Sequence, residues 1–406
     1  MQPSCTRIRR RWTWRETAPV LLVVMIVVSE RTPNSEAAEW SIAPSVGVKG
    51  VYNSNLLLTP LPHAHTYGYW VTPAADVAGK TERLEFSSRV AADVVGYVGG
   101  EERRFTNAFA PVSVRYRTEK DLLEFTGGFS RDNTLLGELQ ATGVVLGFTQ
   151  RNQWTANPTW TRNVSERLAF HSSAQLSDTT YESGRLVDYR LVGGSGGFQY
   201  QLTERSQIQL SGSYVDFRTT DSPVPLRANY PGISMSLTHA FDESLTGTIY
   251  GGPRFLFSRS ESLHGSIMAR DTVWVAGAKM AKNWERTAVQ VSLVRDLVPS
   301  GFGLLIETNR GEATGTYRVS ETVTCSLNVV GVLTSGQTVV ASGGVFSDSR
   351  YVSAAPTLSW KFLEWWQADV SYMFRWRDID AAVDSAQSHA TTFMVTYYPP
   401  KQSLSH

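Results

Sequence analysis

The side chains with chemical reach in this 406-residue chain are scattered along alternating segments rather than gathered into a motif. Glu85, Arg89, Asp93, Arg115, Arg117, Glu124, Asp369 and Arg375 all fall on the polar side of such segments, with His171 and Gln175. Two readings fit them. They form a surface that attracts charged solutes into an aqueous interior, or a lattice of ion pairs that stiffens a wide wall. Their mixed sign argues against strong ion selectivity in either case. The seven histidines make no metal set. His63-Ala64-His65 is a pair in a polar stretch, and a solvated loop is its plainer reading. No HExxH, CxxC or CxxCH occurs, so no metal or cofactor is assigned. His171 and His239 lie near serines, but serine is common, and no catalytic residue is assigned.

The elements that must position these groups announce themselves through a repeated turn. Lys80-Thr81-Glu82-Arg83, Thr118-Glu119-Lys120-Asp121, Ser165-Glu166-Arg167 and Thr203-Glu204-Arg205 are each followed by an alternating run. Asp242-Glu243-Ser244, Glu285-Arg286, Ser320-Glu321-Thr322 and Phe362-Leu363-Glu364 continue the series at a spacing of about 40 residues. That length holds two long strands, one tight turn and one longer loop. The longer stretches between are Pro60–Thr66, Asn133–Thr142, Asp221–Ala228, Ser258–Ala269, Ser335–Ser347 and Asp378–Ser388.

Period-two alternation sorts the faces. Leu168, Phe170, Ala174 and Leu176 oppose His171, Ser173, Gln175 and Ser177. Val323, Cys325, Leu327 and Val329 oppose Thr324, Ser326 and Asn328, and Trp366, Val370, Tyr372 and Phe374 oppose Gln367, Asp369 and Arg375. Runs this long exceed ordinary soluble strands but match a tilted strand crossing a bilayer. Lipid outside and water inside satisfies both faces. Tyr116, Trp160, Tyr200, Phe241, Trp284, Tyr317 and Trp360 each precede a short turn, where amphipathic rings would sit at a lipid–headgroup boundary.

The expected fold is therefore an all-β, up-and-down transmembrane antiparallel barrel of about eighteen strands, located in the bacterial outer membrane. Short turns face the periplasm and long loops face outward. Sixteen strands is the alternative, because Leu135–Thr149 reads as loop or strand. A β-propeller also repeats near 40 residues but needs four short strands per repeat. Residues 1–38 read as a signal peptide, with Arg7, Arg9, Arg10 and Arg11 before the apolar run Val20–Val28. Residues 39–398 are then the barrel and 399–406 a C-terminal tail. Cys325 is the single cysteine after that leader, so no internal disulfide staples the fold. A net charge of +1 gives no sign of a nucleic-acid partner. Pro253 and Pro356 fall inside strands, where bulges or a membrane-edge position are expected.

Several short stretches also carry a resemblance. They are Pro44-Ser45-Val46-Gly47-Val48, Tyr52-Asn53-Ser54-Asn55-Leu56, Ser130-Arg131-Asp132-Asn133-Thr134-Leu135 and Gln150-Arg151-Asn152. Asn157-Pro158-Thr159-Trp160, Ser165-Glu166-Arg167-Leu168, Leu186-Val187-Asp188-Tyr189 and Pro299-Ser300-Gly301 complete them. Through these the chain resembles proteobacterial outer-membrane barrels of porin type associated with the exosortase (PEP-CTERM) and exopolysaccharide system. Ser54 stands where that family often has Asp, and Pro399–His406 follow the last alternating strand where such barrels commonly end on an aromatic residue. The resemblance implies a barrel and a link to polysaccharide secretion, and transfers no catalytic residue.

Three functions follow as expectations. The first is a channel or export conduit without chemistry of its own, not an enzyme. The second is a non-conducting structural or assembly barrel working with periplasmic partners, and the third a barrel-embedded hydrolase. The expected partners are outer-membrane lipid, the barrel-insertion machinery and polysaccharide-secretion components.

Overall fold

A computed structural model describes residues 39–60, 63–100, 102–135, 137–142, 148–220, 222, 225–262, 265–335, 348–380 and 384–405. Residues 1–38, expected as a signal peptide, lie outside the described residues. Eighteen long strands follow one another. They are β1 Glu39–Asn53, β2 Thr66–Lys80, β3 Leu84–Val98, β4 Arg103–Arg117, β5 Asp121–Asn133 and β6 Gln150–Asn163. Next come β7 Leu168–Tyr181, β8 Asp188–Thr203, β9 Ser206–Thr220, β10 Leu226–Ala240, β11 Leu245–Ser262 and β12 Gly265–Asn283. β13 Thr287–Pro299, β14 Leu305–Arg318, β15 Val323–Ser335, β16 Ser349–Leu363, β17 Trp366–Ile379 and β18 Ala386–Tyr397 complete the wall. A short helix, α1 Glu138–Thr142, lies between β5 and β6, and a four-residue strand, β19 Gln402–Ser405, ends the chain.

Each of the eighteen long strands pairs antiparallel with its neighbour in sequence, and β18 pairs with β1, so the sheet closes on itself. Closure leaves no sheet edge running the height of the wall, as a membrane requires. Eighteen strands about 4.8 Å apart and tilted about 40° enclose a backbone cylinder of roughly 18 Å radius. Among the described residues of Leu135–Thr149 there is no strand; α1 lies within the segment. Beyond Tyr397 the chain stays on β1: Gln402–Ser405 pair with Glu39–Ile42, so part of the segment expected as a tail is built into the seam.

Short turns join β2 to β3 and each later even-numbered strand to its successor, all at one end. Most of them share one device, a Ser, Thr or Asp side chain that accepts the backbone N–H groups two or three residues on. Thr81 Oγ1 takes Arg83 and Leu84, Ser165 Oγ takes Arg167 and Leu168, Asp242 Oδ1 takes Ser244 and Leu245, and Ser320 Oγ takes Thr322 and Val323. These side-chain turns explain why a polar cluster recurs at each repeat. Asp242 also accepts the Ser244 hydroxyl and the Lys282 ammonium, which together hold its carboxyl well below the usual carboxylate range.

Alternation decides the faces as the side-chain period dictates. Val90, Val94, Leu210, Tyr214, Ile233, Met235, Leu293, Leu327 and Val370 lie exposed on the outside, while Val95, Tyr97, Val215, Phe217 and Val332, one register step away, are buried toward the interior. Such an apolar exterior on a closed barrel belongs in lipid, and the protein is an outer-membrane barrel. Two local readings change. Ser258–Ala269 is not an open loop: β11 and β12 run on as a paired hairpin from Ser258↔Ala269 to Ser262↔Gly265. Pro253 and Pro356 cause no register shift. The β10–β11 pairing instead lapses between Gly232↔Arg254 and Met235↔Gly251, and the β16–β17 pairing between Ala354↔Phe374 and Thr357↔Ser371, where proline has no N–H to give.

Candidate functional site

The interior has two zones. Toward the short turns the inner wall is polar. Arg115 donates to Glu124 at 2.8 Å, Arg89 approaches Asp76 at 3.4 Å, and Lys80 approaches Glu85 at 3.6 Å. Asp93 accepts Thr72 Oγ1 at 2.7 Å and Asn107 Nδ2 at 3.5 Å. Asp369 accepts Gln367 at 2.8 Å, and His171 Nδ1 meets Thr161 Oγ1 at 3.0 Å. Gln175 lies opposite Gly193, and Arg117 pairs in register with Leu122 at the turn end. Glu85, Arg115, Glu124, Thr126, Asn157 and Thr159 line a cavity of about 370 Å³ on this wall. Most of the charged residues singled out by alternation thus have carboxylate–guanidinium or carboxylate–amide partners.

Toward the long loops the interior is filled. The segment after β1 turns inward, so that Leu58 is fully buried against Leu139 of α1, Val330, Val332, Tyr351 and Ala386. Leu56 meets Val95, Tyr97 and Leu135 in the same way. Two arginines of β17 hold this first loop by its backbone. Arg377 Nη2 donates to Leu58 O at 2.6 Å, and Arg375 Nη2 lies 3.5 Å from Asn55 O, 3.4 Å from Leu56 O and 3.1 Å from Ser388 Oγ. Asn55 adds its own bonds, donating to Thr59 O at 2.8 Å and Gln387 O at 2.9 Å. Arg375 therefore faces inward as alternation expects, but its partners are loop carbonyls rather than solute. Ser54 Oγ accepts the His389 N–H at 2.9 Å.

The loop between β5 and β6 is fixed by a buried charge cluster. Arg151 makes a two-pronged bond to Asp132, Nε to Oδ1 at 2.9 Å and Nη2 to Oδ2 at 2.7 Å. Its Nη1 lies 3.7 Å from Glu138 on α1, and all three side chains are at most one-tenth exposed. Glu138 also accepts the Tyr181 hydroxyl and, at 3.2 Å, the Gly301 N–H. Thr334 donates to Thr142 O at 2.6 Å. A single helical turn thereby bridges β6, β7, β15 and the β13–β14 connection. Alternation could not single out Asp132, Glu138, Arg151 or Arg377, which look like loop-end residues. For Asp132 and Arg151 the signal that could have found them was the polar runs Ser130–Leu135 and Gln150–Asn152.

The seven expected girdle aromatics end strands at the short-turn rim, and Tyr116, Tyr200, Phe241, Trp284, Tyr317 and Trp360 are exposed outward. Trp160 Nε1 donates to Asp121 at 3.0 Å, as an interfacial ring should. A second outward ring stands higher in the wall, formed by Tyr69, Trp154, Tyr214, Phe255, Trp274 and Tyr372. It is about nine residues up the tilted strands, close to the roughly 25 Å height of an outer-membrane apolar band.

The histidines near serine make poor nucleophile activators. His239 Nδ1 meets Ser206 Oγ at 2.9 Å, with Phe241 against the ring, on the outward face with Met235 and Leu237. Among the described residues no carboxylate is hydrogen-bonded to it. His65 meets the Tyr52 hydroxyl at 2.9 Å.

Comparison with known proteins returns likeness in shape alone. No family model matches the chain, and no curated protein matches it. Among solved structures it is similar to Pseudomonas aeruginosa OccK5 (OpdH), at 12% identity and TM-score 0.37 over 90% of this chain and 98% of that one. Pseudomonas aeruginosa OccK2 (OpdF) in complex with glucuronate gives 10% identity and TM-score 0.41 over 90% and 98%. The unliganded ferric citrate transporter FecA gives 9% identity and TM-score 0.47 over 83% of this chain and 60% of that one. Likeness at this level carries no argument about mechanism, which rests on the chain's own geometry.

Proposed function

We propose that the protein is an outer-membrane channel of porin type whose outer half is held shut by its own first and third loops. The observation that carries this reading is the contrast between the two interior zones. The lower wall is polar and enclosed by a cylinder wide enough to hold water. The upper filling is made of loops latched by side chains, namely Arg375 and Arg377 on carbonyls and Arg151 on two carboxylates. Such latches release without breaking a wall strand, so the barrel stays closed while the passage opens. Resemblance to the exosortase- and exopolysaccharide-associated barrels supports a finer reading. On it, the channel serves polysaccharide export, and the hydroxyl and amide groups of Ser87, Ser113, Thr126, Asn157 and Thr159 suit a polymer rich in hydroxyls.

Planar-bilayer recording tests the proposal. Wild-type protein should conduct rarely, and a variant with segments 54–65 and 134–148 replaced by short Gly-Ser linkers should conduct steadily. A loop-deleted barrel that folds, shown by its heat-modifiable mobility, yet never conducts would defeat it. The filled outer half also suits the second reading, a non-conducting assembly barrel. That reading requires a periplasmic or secretion protein to co-purify with the loop-deleted form as well as the wild type.

A further inference from the structure

The wall is not zipped to its full height. β12 and β13 pair only from Ala276↔Arg295 down to Asn283↔Ala288. Above that point Gly265–Val275 pair with β11 alone, and Asp296–Pro299 pair with β14 alone. The two free edges treat their own backbone. Asp271 Oδ1 accepts the Thr272 N–H at 2.7 Å, and Asp296 Oδ1 accepts the Leu297 N–H at 2.8 Å. Unpaired strand N–H groups demand a partner, and an adjacent Asp supplies one where the neighbouring strand does not.

The cause of the split lies in the β13–β14 hairpin. Below Arg295 the odd-numbered residues of β13 face lipid, with Leu293 exposed. Leu297 instead joins the interior cluster with Phe217, Leu226, Leu256, Val273 and Leu305. The tip goes further in: Gly301 gives its N–H to Glu138 and its carbonyl to the Val187 N–H at 2.8 Å. The hairpin tip thus folds into the barrel and leaves β12 behind.

The depth of the split matters. The paired stretch Ala276–Asn283 rises roughly 18 Å along the membrane normal for a strand tilted about 40°. Its floor therefore lies just below the upper aromatic ring, beside Trp274, at the level of the outer leaflet. Directly under the floor, the lipid face carries a groove of about 570 Å³. Its walls are Leu293, Leu333 and Val352, and its bed is small: Ala276, Ala278, Gly311 and Gly331. A Cβ added at Gly331 would meet nothing within 4 Å, so this bed is open space on the outer face. At the head of the groove stand Arg295, paired with Glu307 at 2.6 Å and still half-exposed, and Asn309.

We propose that this split is a lateral portal, through which a single-chain acyl amphiphile with an anionic head passes between the interior and the outer leaflet. The groove seats the chain below the split, alongside the surrounding lipid tails. Arg295 and Asn309 hold the head at the level where the wall opens. The latched loops close the axial exit, so a sideways exit complements them. The portal is a second route, independent of whether the axial passage conducts.

A reversible zipper tests it. Val275 and Asp296 would be the next partners if the β12–β13 register continued. In full-length protein carrying C325S, V275C and D296C, oxidation joins the strands above the present floor and reduction releases them. The probe is palmitate bearing a diazirine at its chain end, added to the protein in lipid vesicles and photolysed. Adducts are mapped by mass spectrometry. In the reduced form, adducts should appear both on the lipid-facing groove (Leu293, Leu333) and on inward residues beside the split (Val273, Val294). Oxidation should lower the inward adducts at least tenfold while leaving those at Leu333, and reduction should restore them. Inward adducts that never form, or that persist undiminished when the strands are joined, would overturn the portal. Planar-bilayer conductance of the same oxidised protein reports the axial passage separately.

Discussion

Arg151 is the residue whose loss should most change how the interior is filled. Its side chain sits about nine-tenths buried between Asp132, bound at 2.9 and 2.7 Å, and Glu138 at 3.7 Å. Arg151→Ala leaves two carboxylates facing one another without a counter-charge. Removing one partner of a buried pair costs about 3–5 kcal/mol. Asp132 is fixed in β5, so the relief available is for Glu138 to swing out with α1. The cost then falls on the seated loop rather than on the barrel. At about 1.4 kcal/mol per tenfold, the seated-to-released ratio drops by roughly two to three and a half orders of magnitude. Single-channel recording reads this as the fraction of time spent conducting, which should rise at least a hundredfold at low starting occupancy. Arg151→Lys should fall between, because a point charge cannot make the forked bond to Asp132. Arg151→Ala combined with Glu138→Gln should move back toward wild type. If Arg151→Ala protein inserts and shows heat-modifiable mobility, yet conducts within threefold of wild type, the argument that this cluster holds the loop fails.

Three further outcomes are expected. Arg377→Met removes the bond to Leu58 O and should raise thermolysin cleavage within 54–65 of intact vesicles about tenfold, with the β-strands uncut; unchanged cleavage contradicts the latch. Phe217→Ala empties a fully buried site in the interior cluster and should cost about 3–5 kcal/mol in urea unfolding from vesicles; a loss under 1 kcal/mol would mean the cluster is loosely packed. Thr81→Ala and Ser165→Ala each remove turn bonds and should cost about 0.5–1.5 kcal/mol, adding within error because the turns share no partner; strong non-additivity would show the turns are coupled.

The wall was readable from the chain because two periods govern it. A strand that faces lipid on one side and water on the other must alternate, so Leu176, Leu327 and Val370 declared the outside and Glu85, Arg89 and Asp93 the inside. The turns were readable because each needs a side-chain acceptor at a fixed offset, and Ser, Thr and Asp are the residues that supply one. What escaped were contacts made across the barrel. Arg375 could be placed on the inner face, but its partner carbonyls lie about 320 residues earlier in the chain, and no local pattern encodes that meeting. The inward fold of the β13–β14 tip was hidden likewise, since Leu297 continues an outward-looking alternation until the chain turns at Asp296. Ser258–Ala269 looked like a loop because Ser258, Ser260, Glu261, Ser262 and Ser266 crowd it with small and polar side chains, and such a run does not reveal that its two arms pair.

The seam between first and last strands has a practical bearing on handling the molecule. Three residues of β1, Ala43–Ser45, oppose four, Tyr398–Lys401, where two adjacent prolines withhold donors, and the ladder resumes at Ile42↔Gln402. The final rungs of the cylinder are thus supplied by Gln402–Ser405, after an interruption. An affinity handle fused there would compete for the join, and clipping even four residues would expose the start of β1. Handles belong instead on the far rim, beside Pro60 or Asp384, which are exposed and lie outside the strands.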